Sequence, residues 1–248
     1  MSTYTPTIKA LSYARQTQLH LFDEPSASFS GDCSKKSKIL TQRNPSLLLI
    51  PMPKTPGQLP LPGVNREVQY ISDSAAKNSV KAKVLNRPTP AKVLRQAQSH
   101  DIVHFACHGM WDINPSDGCL ILFAPEGDAA DKLMPRDISN MAAQNAQIAY
   151  LSACSSAKNP STKLADEVIH LASAFQLAGF SHTLANLWET DDHASSEVAR
   201  DFYTFLFQNR EHTDRHLRVS AAFHQAVKNC RDKNPYDFLT WAPFVHMG

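Results

Sequence analysis

Hydrophobic positions along this chain follow two alternating rhythms. Short apolar runs of strand length recur at 47–50, 80–85, 102–106, 119–123, 148–152, 183–187 and 244–247. Between them, apolar residues repeat at helical spacing. Val68, Ile71 and Ala75 mark a helix over 65–77. Thr89 followed by Pro90 reads as an N-cap and first helical residue, opening a helix that runs to 98. Leu164, Val168, Leu171, Phe175 and Ala178 form the buried stripe of a third helix, which Gly179 ends. Val198, Phe202, Phe205 and Leu206 do the same over 192–208, and a last helix is expected over 217–229. Apolar strands separated by amphipathic helices predict an α/β fold whose mostly parallel sheet is covered on both faces. In such sheets, sites form where loops leave the carboxyl ends of the strands.

The beginning of the chain breaks this pattern. Residues 23–63 are rich in Pro, Ser, Gly and Lys, and Pro51, Pro53, Pro56, Pro60 and Pro62 exclude a helix or central strand after the first apolar run. Residues 1–45 read as a peripheral segment with one short helix near 8–21, and 46–248 as the main domain. No repeat of 20–50 residues is visible.

Composition narrows the function classes. The chain is 42% hydrophobic and 19% charged, which fits a globular protein. A formal net charge of +2 does not favour nucleic acid or an anionic membrane as the main partner. No apolar run reaches the roughly 18 residues of a membrane span. The five cysteines, Cys33, Cys107, Cys119, Cys154 and Cys230, include no CxxC pair. They read as reduced thiols in a cytoplasmic setting, one of them available as a nucleophile.

Two predicted strands end in reactive side chains. The run 101–106 leads into Cys107-His108-Gly109, and 147–153 leads into Cys154-Ser155-Ser156. If these strands are parallel neighbours, His108 and Cys154 leave the sheet on one edge and can form a base–nucleophile pair. Gly109 would let the backbone turn sharply, and its N–H with that of Cys154 would form an oxyanion hole. The competing reading is that Cys154 is a packing cysteine, since thiols are among the most buried side chains. A zinc site built from His104, Cys107, His108 and Cys154 is a further alternative. Strand alternation sets His104 and Cys107 on opposite faces and no familiar ligand spacing is present, so no metal is expected. With eight glycines and no Gly-rich phosphate loop, no cofactor is expected either. His104 reads as a sheet-face histidine, Cys119 and Cys230 as structural, and His212, His216 and His224 as solvated groups. A third segment, 187–192, also leaves a strand end: Asp191 reads as a helix cap, while Trp188 and Asp192 are candidates for the wall of a substrate pocket.

The ordered set of motifs resembles the CHAT domain, a family related to caspases and separases and often found behind tetratricopeptide repeats. The matching stretches are Leu61-Pro62-Gly63-Val64-Asn65-Arg66-Glu67-Val68, Val103-His104-Phe105-Ala106-Cys107-His108-Gly109, Leu151-Ser152-Ala153-Cys154, residues 172–179, Ala185-Asn186-Leu187-Trp188 with Asp191-Asp192, and Trp241-Ala242-Pro243-Phe244-Val245. Tyr4-Thr5-Pro6-Thr7 is similar to an upstream segment of the family. The resemblance implies a caspase-like three-layer sandwich with a mostly parallel central sheet flanked by helices on both faces. It implies a cysteine endopeptidase with His108 as base and Cys154 as nucleophile, acting on a protein or peptide substrate. It also implies Ser152 as a pocket residue, Ser155 beside it, and an upstream repeat or regulatory domain as a partner. A catalytically silent interaction module of the same fold is the alternative. Two positions depart from the commoner pattern: Ser155-Ser156 stand where Glu-Thr usually follows the Cys, and Cys107 stands where a Thr often precedes His-Gly. The family usually begins further upstream than Tyr4, so a preceding strand or partner region is expected. The strand-end loops carry Ser152, Ser155, Ser156, Trp188, Glu189, Asp191 and Asp192 and no arginine. They therefore predict a basic or uncharged residue, not an acidic one, before the cleaved bond.

Overall fold

The computed structural model describes residues 44–110, 118–143, 146–155, 164–188, 190–208 and 215–248; at 153–155, 164–167 and 215–216 it describes the backbone alone. The helix expected near 8–21 lies outside the described residues. The chain runs β1 (Ser46–Pro51), α1 (Gly63–Lys77), β2 (Lys81–Val84), α2 (Pro90–Ala97) and β3 (Ile102–Met110). A hairpin of β4 (Cys119–Phe123) and β5 (Ala130–Leu133) follows, then α3 (Pro135–Ser139), β6 (Ile148–Ser155), α4 (Leu164–Leu177) and β7 (His182–Asn186). The chain continues through α5 (Asp192–Gln208), α6 (Arg215–Lys233), α7 (Phe238–Trp241) and β8 (Phe244–Met247).

The sheet order is β2-β1-β3-β6-β7-β8. The first five strands are parallel, and β8 closes the far edge antiparallel to β7. The β4–β5 hairpin attaches antiparallel to the end of β3 through Gly109 and Met110. Pleat alternation divides the core into two layers. Leu48, Ile50, Val103, Phe105, Cys107, Ala149 and Leu151 pack toward α2, α3 and α4. Leu47, Leu49, Ile102, Ile148 and Tyr150 pack toward α1, α5 and α6. The result is the three-layer α/β sandwich expected, with a mostly parallel sheet between two helical layers. The predicted helical stripes are the buried ones: Val168, Leu171, Phe175 and Ala178 on and just past α4, and Val198, Phe202 and Leu206 on α5. Gly179, at φ 112, takes the left-handed conformation that ends α4.

The differences from expectation have local causes. β2 forms, but all four of its residues are exposed, and Lys81 and Lys83 keep this edge polar. The hairpin partner β5 carries no apolar run, Ala-Asp-Lys-Leu being mostly outward, so only β4 was legible. The sharp turn expected at Gly109 is absent: β3 continues through Cys107, His108 and Gly109 to Met110, because β4 and β6 pair with it on both sides there. Strand order reverses between β1 and β3, since the chain moves outward to β2 and then returns past β1. Loops diverging at such a reversal leave a crevice at the carboxyl edge.

Candidate active site

The loop from β1 to α1 is the first wall of that crevice, and its sequence dictates its shape. Thr55-Pro56-Gly57-Gln58 forms a turn in which the Gln58 N–H donates to the Thr55 carbonyl at 3.1 Å, with Gly57 at φ 74. Proline second and a left-handed glycine third is the type II pattern. The Leu61 N–H donates to the Pro53 carbonyl at 3.0 Å and closes the base of the loop. Five prolines within 51–62 leave this stretch few alternative conformations to lose on folding. The loop presents a backbone group: the Leu59 carbonyl accepts a hydrogen bond from His108 Nε2–H at 2.8 Å.

That bond fixes the histidine. A carbonyl oxygen only accepts, so Nε2 carries the proton, and in the neutral ring Nδ1 is the lone-pair nitrogen. Nδ1 is buried and meets no hydrogen-bond partner among the described residues. The ring is 4% exposed and stands two same-face positions, four residues, beyond a second polar group on that face of β3. There the Nδ1 atom of His104 lies 3.2 Å from the Tyr203 hydroxyl of α5, and its Nε2 lies 3.0 Å from the Glu67 carboxylate of α1. The Glu67 approach is off the line of a hydrogen bond and is a close polar contact between two buried side chains. Burial pushes the Tyr203 hydroxyl well above its usual range, so it stays a donor to the His104 ring. Tyr150, raised in the same way by burial, stacks on Tyr203 and packs tilted against the His104 ring.

Cys154 is the register partner of His108 in the parallel ladder between β3 and β6. Register partners on neighbouring parallel strands stand side by side on one face, with backbones roughly 4.8 Å apart. Gly109 pairs in register with Ser155 one residue further on. Gly109 and Cys154 are each the last residue but one of their strands, where the ladder ends. Ser152, on β6 beside Ala106 of β3, is 6% exposed. Only the backbone of Ser155 is described, and Ser156 and Glu189 lie outside the described residues.

The segment after β7 is tied down by its own polar groups. Trp188 Nε1–H donates to the Leu239 carbonyl of α7 at 3.3 Å, and Trp188 remains half-buried. Asp191 caps α5 as expected, accepting from the His193 and Ala194 N–H groups at 3.0 Å each. The Asp192 carboxylate accepts from the Gly63 N–H at 2.6 Å, joining the starts of α5 and α1. A Cβ at position 63 would lie 2.3–2.5 Å from that carboxylate, so only glycine fits there with the bond intact. The zinc alternative loses its geometry: Cys107 packs in the layer of α2 and α4, while His104 meets Tyr203 and Glu67 on the opposite face. Among the described residues no group of three or more potential metal ligands occurs.

Sequence reasoning missed the Leu59 carbonyl and the Glu67–His104–Tyr203 column. The signal for Glu67 was present, since 67, 71 and 75 form one i, i+4 stripe whose other two members are apolar.

An α/β sandwich with a mostly parallel sheet and with histidine and cysteine on adjoining strand ends has the architecture of the caspase-like proteins. The CHAT domain model matches residues 9–248, and the chain belongs to that family. No curated protein sequence matches it. Among solved structures it is similar to the Arg-specific cysteine proteinase gingipain R, at 12% identity and a TM-score of 0.54 over 82% of this chain. It is also similar to separase in the Saccharomyces cerevisiae separase–securin complex, at 15% identity and a TM-score of 0.50 over 83% of this chain. The likeness spans 46% of the gingipain chain and 12% of the separase chain. No helix among the described residues is long and apolar enough to cross a membrane.

Proposed function

We propose that this chain is a cysteine endopeptidase domain in which Cys154 is the nucleophile and His108 the base. One observation carries the reading: His108 and Cys154 are register partners at the carboxyl edge of the sheet. The hydrogen bond from His108 to the Leu59 carbonyl supports it by leaving Nδ1 as the basic nitrogen. In the reaction, Nδ1 takes the thiol proton and the thiolate attacks the peptide carbonyl, forming a C–S bond. The N–H groups of Gly109 and Cys154 receive the negative charge that develops on the carbonyl oxygen. As the C–N bond breaks, the imidazolium returns its proton to the leaving amine. Water, deprotonated by the same ring, then hydrolyses the thioester, releasing the acid and restoring the thiol.

Ser152 and Trp188 line the pocket for the residue before the cleaved bond, with Ser155 at its edge. Asp192 acts on that pocket by holding the start of α1. With no arginine in the loops that follow β1, β3, β6 and β7, the pocket favours a basic or uncharged side chain. The substrate is a protein or peptide, and the setting is cytoplasmic, downstream of a repeat or regulatory region. The test is covalent labelling by a peptidyl acyloxymethyl ketone followed by intact mass. Wild-type protein should gain one adduct at Cys154, and Cys154→Ala and His108→Ala should gain none. An unlabelled, folded wild-type protein would overturn the peptidase reading.

A further inference from the structure

A cavity of about 610 Å³ opens at the carboxyl ends of β1 and β2. That volume is in the range of small-molecule and peptide side-chain sites. Its walls are largely apolar, with Pro51 and Pro60 on the β1 side, Val84 and Leu85 on β2 and just past it, Val68 on α1, and Phe123 on β4. Two cations stand at its rim. Lys54 is exposed, and Arg87 lies over the Phe123 ring with 4.8 Å between the guanidinium carbon and the ring centre. Arg87 also bonds to the Gly127 carbonyl and faces Asp128 at 3.5 Å, so Lys54 supplies the uncompensated charge. Pro60 follows Leu59, whose carbonyl holds His108, so the loop that lines the cavity also reaches the candidate site.

Position along the sheet edge says what such a cavity would take. The order across the edge is the cavity at β2 and β1, His108 on β3, Cys154 on β6, and Trp188 beyond β7. The acyl half of a substrate stays on the nucleophile, while the leaving amine must reach the base to be protonated. The segment that follows the cleaved bond therefore leaves past His108, toward β1 and β2. We infer that this cavity is the leaving-group subsite of the peptidase. It would accept a bulky apolar side chain shortly after the cleaved bond, with a carboxylate further along beside Lys54. The inference rests on the peptidase reading and adds the class of substrate it cleaves.

The experiment compares two substrates that share one acyl half. One is a quenched peptide with Leu or Phe after the cleaved bond and Glu following it. The other is a coumarin amide, which has no residues there. The ratio of kcat/KM, peptide over amide, should be about tenfold higher with Leu than with Gly after the bond. Val84→Glu, at an exposed position of the edge strand, should lower that ratio about tenfold, and Lys54→Glu should invert the preference for Glu. Thermal melting checks that both variants fold. Cleavage of both substrates with a ratio indifferent to Val84→Glu and to the residues after the bond overturns this inference alone. Cleavage of neither substrate by wild-type protein overturns the peptidase reading together with it. An indifferent ratio combined with a dimer that Val84→Glu dissociates, measured by sedimentation, would give the cavity to a second copy of the chain.

Discussion

Replacing Gly63 by alanine tests the link between the helical layer and the site. The new Cβ would fall 2.3–2.5 Å from the Asp192 carboxylate, well inside contact distance. Either the carboxylate swings away or α1 shifts, and both break the 2.6 Å bond from the Gly63 N–H. A charge-assisted hydrogen bond of this kind contributes about 1.5–3 kcal/mol. Removing the carboxylate from the start of α1 costs a further ~0.5 kcal/mol through the helix dipole. Alanine returns up to about 1 kcal/mol over glycine in a helix, and less at its first residue. The net loss is about 1–3 kcal/mol, or roughly 3–10 °C in Tm for a domain of this size. Urea unfolding of Gly63→Ala, Asp192→Ala and the double variant isolates the contact. Asp192→Ala should cost about 2 kcal/mol in wild-type protein and close to nothing beside Gly63→Ala. Single costs that add to within about 0.5 kcal/mol would refute the contact. Because Gly63 closes the loop that carries Leu59, labelling of Cys154 should also slow in Gly63→Ala at temperatures where the protein is fully folded.

Glu67→Ala removes a buried carboxylate and leaves His104 Nε2 facing a void; a loss of about 1–3 kcal/mol in urea unfolding is expected, and a loss below about 0.5 kcal/mol would dismiss the column as a structural element. Burial holds His246 down to about 4 from an ordinary 6.5, so between those values the unfolded chain binds a proton that the folded chain does not. Stability should therefore fall by up to about 3 kcal/mol as pH drops from 6.5 to 4, and His246→Gln should flatten that slope; equal slopes would contradict it. Cys107, Cys119 and Cys230 are buried, and burial pushes the Cys230 thiol up, so iodoacetamide should modify none of the three until the protein unfolds. Modification of Cys107 in the native state would remove it from the core face of β3.

The neighbouring placement of His108 and Cys154 was legible because two apolar runs have the same length. Ile102 and Ile148 are register partners, and each stands six residues before the reactive side chain of its strand. The ladder is set at its base, where the Asp101 carbonyl accepts from the Gln147 and Ile148 N–H groups at 2.8 and 3.1 Å. Once that start is fixed, the period of the strand carries the pair to one level. Leu59 was not legible, because its contribution is a carbonyl, which every residue has; its side chain is 81% exposed and says nothing of the bond. The reach of Asp192 was hidden for a different reason. An acid at the start of a helix satisfies local rules so well that its partner, 129 residues earlier, leaves no trace in the local pattern. Gly109 misled in the opposite sense. Glycine permits a turn without requiring one, and here two flanking strands hold it extended.

The three groups that fix the base all come from one short stretch. Leu59 holds His108 through its carbonyl, Gly63 holds α5 through its N–H, and Glu67 meets His104 through its carboxylate. The loop end and first turn of α1 are thus fastened twice to one face of β3 and once to the helix beside it. His104 and His108 are four residues apart on that face, about 13 Å along the strand, so the two attachments to β3 resist tilting as well as sliding. A ring held by a single hydrogen bond can rotate about its own χ angles. His108 is instead held by a carbonyl whose position depends on a buried polar contact and an interhelical bond, neither of which touches the ring. Loss of either should therefore widen the range of His108 orientations before it unfolds the domain. The direct reading of that order is the rate of Cys154 labelling measured beside the urea midpoint: in Glu67→Gln, which keeps the side-chain shape and removes the charge, the rate should fall while most of the stability remains. A rate that falls only in step with unfolding would make the Glu67–His104 contact a matter of stability alone.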